Sequence, residues 1–232
     1  MAKDNKKHLV LLDLYNHNNS IFNNILTMNP VCGCNIGCPY CYARKINQRF
    51  KHIPDFNKPQ LKLNRLDNLK ENRIYLMTSM SDFSSWCINN WKDKIFERLD
   101  LKNNIYLFLT KKPELCHIEK YDKRYWFGVS ITCKSDLYKI EELRNNIKSN
   151  NYLITFEPLM EDLGKINLDK IGWVVIGKET GNRKGKIVPE KKWIENIYNQ
   201  CAERKIPVSM KDKLFDILKP IQQLPEEFRN YI

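Results

Sequence analysis

Seven short apolar runs recur along the chain, and longer polar or amphipathic stretches separate them. The runs are continuous and do not alternate with polar residues, which is typical of strands buried on both faces of a parallel sheet. We therefore predict seven β-strands. Their sequences are ILTM (25–28), IYLM (74–77), IYLFL (105–109), WFGVSI (126–131), YLITF (152–156), WVVI (173–176) and IPVSM (206–210).

Three of the stretches between these runs carry apolar residues at helical spacing. Spacings of three and four residues put each set on one helical face, and such faces are expected to pack on the sheet. The alternation of strands and helices predicts an α/β fold that is either doubly wound or barrel-like. The three sets are Trp91, Ile95 and Leu99; Leu137, Ile140, Leu143 and Ile147; and Trp193, Ile194, Ile197, Tyr198 and Cys201.

The length of 232 residues and the 42% hydrophobic content are enough for one sizeable core. No linker rich in Gly, Ser or Pro divides the chain, so we predict a single domain over 1–232, with an N-terminal extension (1–24) and a helical C-terminal tail (213–232). No run approaches the roughly 18 apolar residues of a membrane helix, and no signal peptide is evident. We expect a soluble, cytoplasmic protein with no membrane partner.

The formal net charge of +12 permits a polyanionic partner such as a nucleic acid, because a basic surface attracts phosphate without reading sequence. The positive residues are spread along the chain and do not form a basic tail. An ordinary solvated lysine surface is therefore an equally good interpretation of the charge.

Small, polar or charged residues directly follow the predicted strands. The carboxyl ends of parallel strands meet at one edge of a sheet or barrel, where active sites assemble. We expect these side chains to converge there. They are Thr78, Ser79, Ser81 and Asp82; Thr110, Lys111 and Lys112; Ser130 and Thr132; Glu157 and Pro158; Gly177, Lys178 and Glu179; and Lys211 and Asp212.

A dense group of thiols follows the first predicted strand, in the sequence CGCNIGCPYCYA (32–43). Soft thiolates select zinc, copper(I) or an iron-sulfur cluster. One interpretation is a non-enzymatic protein that holds zinc with all four cysteines and binds nucleic acid, although zinc sites usually draw their ligands from two separated pairs. Another is a glutaredoxin-like dithiol at CPYC (38–41). The scattered cysteines, Cys87, Cys116, Cys133 and Cys201, are expected to be buried packing residues.

A third interpretation takes Cys34, Cys38 and Cys41 together. Their C-x3-C-x2-C spacing, with an aromatic residue before the last cysteine, resembles the cluster motif of the radical S-adenosylmethionine (SAM) superfamily. The order of further segments resembles a small, phage-associated branch of that superfamily over residues 25–212. The resemblance implies a partial (β/α) TIM-like barrel of about six to seven parallel strands. The further segments are MTSMSDF, FLTKKPEL, FGVSIT, FEPLMEDLG and GWVVIGKETG.

The resemblance implies that Cys34, Cys38 and Cys41 bind three irons of a [4Fe-4S] cluster, while SAM chelates the fourth iron. Cys32 is then not a ligand. A one-electron reductant of the flavodoxin or ferredoxin type would lead to cleavage of SAM, and the resulting 5′-deoxyadenosyl radical would abstract hydrogen from an unidentified substrate. The basic charge favours a nucleic acid or a nucleotide as that substrate.

Four residues are carried over from the superfamily as cofactor contacts. Tyr40 is expected against the adenine of SAM. Ser79 and Asp82 stand where the superfamily has a GGE motif that binds the methionine amino group, so the chain departs from the pattern there. Ser130 matches a contact to the ribose or the carboxylate.

Gly177 and Glu179, in WVVIGKETG, resemble the strand motif that lies behind the adenine. A tight turn after the strand is an alternative explanation, in which Gly177 and Gly181 supply positive φ angles.

Glu157, Lys111 and Lys112 are candidate catalytic residues because they are charged and follow strands. A charge buried at the mouth of a sheet is costly unless it is paired, so if these side chains point inward they are expected to be bound to each other or to a ligand. The alternative is that these three side chains extend into solvent.

Overall fold

A computed structural model describes residues 10–11, 20–119 and 122–232 of the chain. The strands are β1 (Val10–Leu11), β2 (Ile25–Thr27), β3 (Val31–Cys32), β4 (Gln60–Leu61), β5 (Ile74–Leu76), β6 (Ile105–Thr110), β7 (Tyr125–Ser130), β8 (Tyr152–Phe156), β9 (Ile171–Ile176), β10 (Val208–Met210) and β11 (Gln223–Leu224). The α-helices are α1 (Tyr42–Phe50), α2 (Phe83–Ile88), α3 (Lys92–Leu99), α4 (Lys139–Asn146) and α5 (Lys191–Glu203).

Seven strands form one parallel sheet in the order β2-β5-β6-β7-β8-β9-β10. All seven predicted strands are confirmed. Each strand of this sheet pairs with the sheet strands that precede and follow it in sequence. The sheet therefore curls in one direction into a half-barrel, and the predicted partial α/β barrel is confirmed. The register places Ile25 beside Ile74 and Val129 beside Ile154, so the carboxyl ends of the strands lie at one edge.

Successive side chains along each strand point to opposite faces of the sheet, and they build one apolar layer on each face. Phe108 and Phe127 face outward and pack on Phe83 of α2, with ring centroids 5.2 and 5.6 Å away from that ring. Trp126 and Trp173 face the barrel interior, and both contact Phe228 edge-on at centroid distances of 4.9 and 5.3 Å. Helices therefore cover the outer face, while the inner face is closed near the amino ends of β7 and β9 by the C-terminal segment.

The three predicted helices are confirmed as α3, α4 and α5. The face of α5 buries Ile194, Ile197 and Cys201. Helices α1 and α2 were not predicted, because α1 is basic and buries only Ala43 and Asn47, and α2 has only six residues. Each begins at a polar side chain that caps it: Cys41 for α1 and Asp82 for α2.

Side-chain hydrogen bonds span the gap between the first and last strands of the sheet. Ser20, before β2, donates through Oγ to Asp212 Oδ1 at 2.8 Å, and the Ile21 N–H donates to Gln222 Oε1 at 3.0 Å. Within the predicted N-terminal extension, β1 pairs antiparallel with β11, and residues 1–9 and 12–19 lie outside the described residues. The predicted helical tail (213–232) has 3-10 turns and the strand β11 in place of an α-helix.

Within the part of the chain that the structure describes, none of the helices has the length and hydrophobicity of a membrane span. Among the four scattered cysteines, Cys116 and Cys201 are buried as predicted, whereas Cys87 and Cys133 are half-buried.

Candidate functional site

A cavity of about 350 Å³ opens at the carboxyl edge of the sheet. Strand ends form its floor, and the cysteine-bearing loop after β3 forms one wall. The cavity brings together ten of the twelve predicted site residues: Cys34, Cys38, Tyr40, Cys41, Ser79, Asp82, Lys111, Ser130, Glu157 and Glu179. The expected convergence of polar residues at this edge is therefore found.

Lys112 and Gly177 do not line the cavity. Lys112 is exposed, and its backbone N–H donates to Thr110 Oγ1 at 3.0 Å. Gly177 has no positive φ angle, whereas Gly181 has φ +85°. A Cβ atom on Gly177 would lie 3.0 Å from Glu157 Cδ, so this glycine leaves room for the Glu157 side chain.

The cysteine-bearing loop is fixed by close backbone contacts. Gly33 has φ +106°, its N–H donates to Met80 O at 2.9 Å, and a Cβ atom there would lie 2.9 Å from Pro59 Cα. The Cys34 N–H donates to Phe56 O at 2.7 Å. Only glycine combines this backbone conformation with so close an approach, so Gly33 determines where the following cysteines lie.

The three cysteines of the spaced motif have different local environments. Cys41 Sγ accepts a hydrogen bond from the Arg44 N–H at 3.4 Å, so this sulfur caps the amino end of α1. Burial raises the pKa of Cys34 to about 12, and burial also raises the pKa of Cys38. Buried thiols of this kind become thiolates when a cation such as a metal ion compensates the charge.

Cys32 is separated from the other three. Its side chain is fully buried and does not line the cavity, and its Sγ accepts a hydrogen bond from Arg65 Nη1 at 2.8 Å. A zinc site with four cysteine ligands would have to break this contact. Within the described part of the chain, no group of three or more His, Cys, Asp or Glu side chains forms an assembled metal site.

Asp82 is a hydrogen-bond hub between two strand ends. Its Oδ1 accepts from the Ser84 N–H at 3.0 Å and from the hydroxyls of Ser84 and Thr110 at 2.7 and 2.6 Å. Its Oδ2 accepts from the Lys111 N–H at 2.8 Å. The carboxylate therefore caps α2 and holds the end of β6, and Oδ2 retains capacity for one more donor.

Ser79 is held by Asn29 and Tyr42, neither of which was predicted as a site residue. Its hydroxyl donates to Asn29 Oδ1 at 3.0 Å, and the same oxygen accepts from the Met80 N–H at 2.8 Å. The Tyr42 hydroxyl donates to Ser79 O at 2.8 Å. An Asn-Pro pair before the cysteines and an aromatic residue directly after Cys41 were the available signals for Asn29 and Tyr42.

Tyr40 and Lys111 form one side of the cavity. The Lys111 ammonium lies 5.4 Å from the centroid of the Tyr40 ring, within range of a cation–π interaction. Burial lowers the pKa of Lys111, and the nearby Cys38 and Asp82 oppose this effect. Burial also raises the pKa of Tyr40, so the tyrosine is neutral.

On the opposite side, two hydroxyls and an ion pair line the ends of β7, β8 and β10. Thr155 Oγ1 donates to Ser130 Oγ at 3.0 Å. Glu157 forms an ion pair with Lys211, with Nζ 3.7 Å from Oε2, in place of the predicted partners Lys111 and Lys112. The sequence does not predict this pair.

Glu179 forms a bidentate pair with Arg183 in the loop after β9. Both of its oxygens accept from the guanidinium at 2.7 Å. This hydrogen bonding lowers the pKa of Glu179. Lys178, the preceding residue, forms an ion pair with Asp216. The carboxylate of Glu179 thus fixes the loop at the rim of the cavity.

A family model with the description “Protein of unknown function (DUF5131)” matches residues 18–213. No curated protein matches the chain, and no solved structure does. The match covers the parallel sheet and every residue of the cavity.

Proposed function

The chain belongs to this family of proteins of unknown function, and we propose that it is a radical SAM enzyme. One observation carries the proposal: Cys34, Cys38 and Cys41 share one cavity at the carboxyl edge of a partial barrel, and Cys32 lies outside it. Three thiols on one cavity wall suit a cluster that leaves one iron free for a small molecule.

The residues around the three thiols fit this cofactor pair. Cys34, Cys38 and Cys41 would hold a [4Fe-4S] cluster, and SAM would lie between them and the strand ends. When bound, the cluster and SAM would supply reductive cleavage of the sulfonium and hydrogen abstraction from a substrate C–H bond.

The protein's own contribution is to position the ligands and to exclude water. The Tyr40 ring is available to contact a nucleobase face, and Asp82 Oδ2 can accept a hydrogen bond from an ammonium group. Leu76, Leu109 and Phe56 give the cavity apolar walls, which keep a reactive species away from water.

Two hydroxyls and one ion pair are the groups best placed to meet the substrate. Ser130 and Thr155 present hydroxyls on the cavity floor, and Glu157 and Lys211 stand at its mouth. We further propose that the reaction runs in the cytoplasm, with electrons from a flavodoxin- or ferredoxin-type reductant. A nucleic acid or a nucleotide is the proposed substrate class, because the chain carries a net charge of +12.

Anaerobic reconstitution with iron and sulfide tests the cofactor assignment. The wild-type protein should become brown and, once reduced in the presence of SAM, should release 5′-deoxyadenosine. Each of the variants Cys34→Ala, Cys38→Ala and Cys41→Ala should lose both properties, because three thiolates are needed to hold the cluster.

Cys32→Ala and Cys133→Ala are the matched controls, since both remove a thiol outside the cavity wall. They should retain the brown colour and the 5′-deoxyadenosine signal. A colourless protein that binds one zinc ion and loses it in Cys32→Ala would instead establish the four-cysteine zinc site and end the radical SAM proposal.

A further inference from the structure

Two basic segments border the cavity from different parts of the chain. Residues 42–52 comprise α1 and the two residues after it, and residues 180–188 form the loop after β9. Together they contain seven Lys or Arg residues and no Asp or Glu. Tyr42 and Thr180 both line the cavity, and a Cβ atom on Gly181 would lie 3.9 Å from Lys45 Nζ. The two segments therefore meet at the cavity mouth.

Most of these positive charges have no acidic partner. Arg183 is paired with Glu179, but in the described ranges no ion pair involves the other exposed cations. Since an unpaired surface cation attracts phosphate, the two segments form a local positive field beside the cavity. The exposed, unpaired cations are Lys45, Arg49, Lys51, Lys184 and Lys186.

Aromatic rings are exposed among these cations. Phe50 is 58% exposed and Tyr42 is 52% exposed, although both are large apolar side chains. The Arg49 guanidinium lies 5.0 Å from the centroid of the Phe50 ring, and the His52 ring lies 6.0 Å from it. Exposed aromatic rings with flanking cations are the side chains on which the bases of single-stranded nucleic acids stack.

We propose that residues 42–52 and 180–188 form a docking surface for single-stranded nucleic acid and lead one nucleotide into the cavity. Tyr42, Lys45 and Arg49 recur at helical spacing on α1, so contacts to the strand run along the helix from the cavity outward. The inference rests on the proposed function for the chemistry inside the cavity, whereas binding at the docking surface needs no cofactor.

A single strand suits this surface better than a duplex does. A base can enter a recessed cavity only when it is unstacked, and a single strand supplies such a base without the cost of unpairing. A duplex would offer its phosphates to the cations but would leave the rings of Phe50 and Tyr42 without partners.

The test is fluorescence anisotropy of the full-length protein with a labelled oligothymidylate over a series of salt concentrations. Arg49→Gln/Lys51→Gln and Lys184→Gln/Lys186→Gln should each weaken binding and lower the slope of log K against log salt by about 1.4, because each removes two phosphate contacts. Phe50→Ala should weaken binding about tenfold and leave the slope unchanged, because it removes stacking alone.

Lys70→Gln/Lys148→Gln is the matched control, because both lysines are exposed and precede strands, at the edge of the sheet opposite the cavity. It should bind like the wild type. An equal loss in this control would overturn the docking surface, and so would tighter binding of a duplex than of the single strand. Binding to vesicles of anionic lipid with the same sensitivity to the variants would overturn it in favour of a membrane surface.

The Cys34→Ala variant separates this inference from the proposed function. It should bind the oligothymidylate like the wild type while it loses 5′-deoxyadenosine formation. Oligonucleotide binding without radical chemistry in the wild type would refute the proposed function and support the docking surface. Radical chemistry without oligonucleotide binding would support the proposed function and refute the docking surface.

Discussion

The two ends of the barrel interior are built from the same strands but have opposite character. On β7 the inward-facing positions run from Trp126 at the amino end to Ser130 at the carboxyl end, and on β8 they run from Leu153 to Thr155. The amino end is closed by Phe228, whereas the carboxyl end opens into the cavity. The amino end therefore maintains the fold, whereas the carboxyl end leaves a cavity at the edge where complete β/α barrels place their active sites.

Phe228→Ala should have the largest effect on stability and should act on the closed end only. Loss of a buried aromatic ring between Trp126 and Trp173 is expected to lower the free energy of unfolding by about 3–5 kcal/mol. Denaturant unfolding measures the change. Where the variant is still folded, its binding of the proposed iron-sulfur cluster should be unaltered; a loss of that binding in the folded variant would show that the two ends are coupled.

Asp82→Ala should affect both the stability of the fold and the open end of the barrel, because this residue lines the cavity and also caps α2. Removal of the carboxylate leaves the Ser84 N–H, the Thr110 hydroxyl and the Lys111 N–H without their acceptor, at an expected cost of about 3 kcal/mol. Ser84→Ala, which removes a single donor, should cost about 1 kcal/mol. Equal losses in these two variants would contradict the description of Asp82 as a hub.

The Glu179–Arg183 pair should make a smaller, pH-dependent contribution. The pKa of Glu179 is lowered in the folded protein, so the pair stabilises the fold fully above the unfolded pKa of about 4.3, and this contribution is lost as the pH falls through the folded pKa. The stability difference between the wild type and Glu179→Gln should therefore shrink as unfolding is measured from neutral pH down to acidic pH. A difference independent of pH would argue that the pair contributes through packing alone.

Trp126→Phe should have the smallest effect. The indole Nε1 is buried and has no hydrogen-bond partner among the described residues. A phenyl ring removes the unsatisfied donor and also some packing area, so thermal unfolding should show stability within about 1 kcal/mol of the wild type. A loss as large as that expected for Phe228→Ala would indicate that the Nε1 proton has a partner.

The strands could be predicted from sequence because their burial on both faces leaves continuous apolar runs. Helix α1 could not, since its sequence YARKINQRF is basic and only Ala43 and Asn47 are buried. Strands β1 and β11 have two residues each, too few to show a period.

The residues that form the site could be predicted from sequence, but the contacts between them could not. Residues that follow strands meet at one edge in any parallel sheet, so six of the ten cavity residues could be identified without coordinates. The other four, Cys34, Cys38, Tyr40 and Cys41, were identified by the resemblance to the cluster motif. The partners of the cavity residues could not, because Lys211 reaches Glu157 across the sheet and Asn29 reaches Ser79 from a different loop. The role of Gly177 also depends on such a neighbour, since Glu157 fills the space beside it.

The position of Phe228 bears on where the domain ends. The family match stops at residue 213, yet the ring that seals the barrel belongs to the segment Glu226–Tyr231. A fragment cut to the matched boundary would leave two indole rings facing water at the base of the barrel, and it should aggregate. Sequence similarity marks the part of the chain that relatives share, whereas the folded domain extends at least to Phe228, which shields the two indole rings from water.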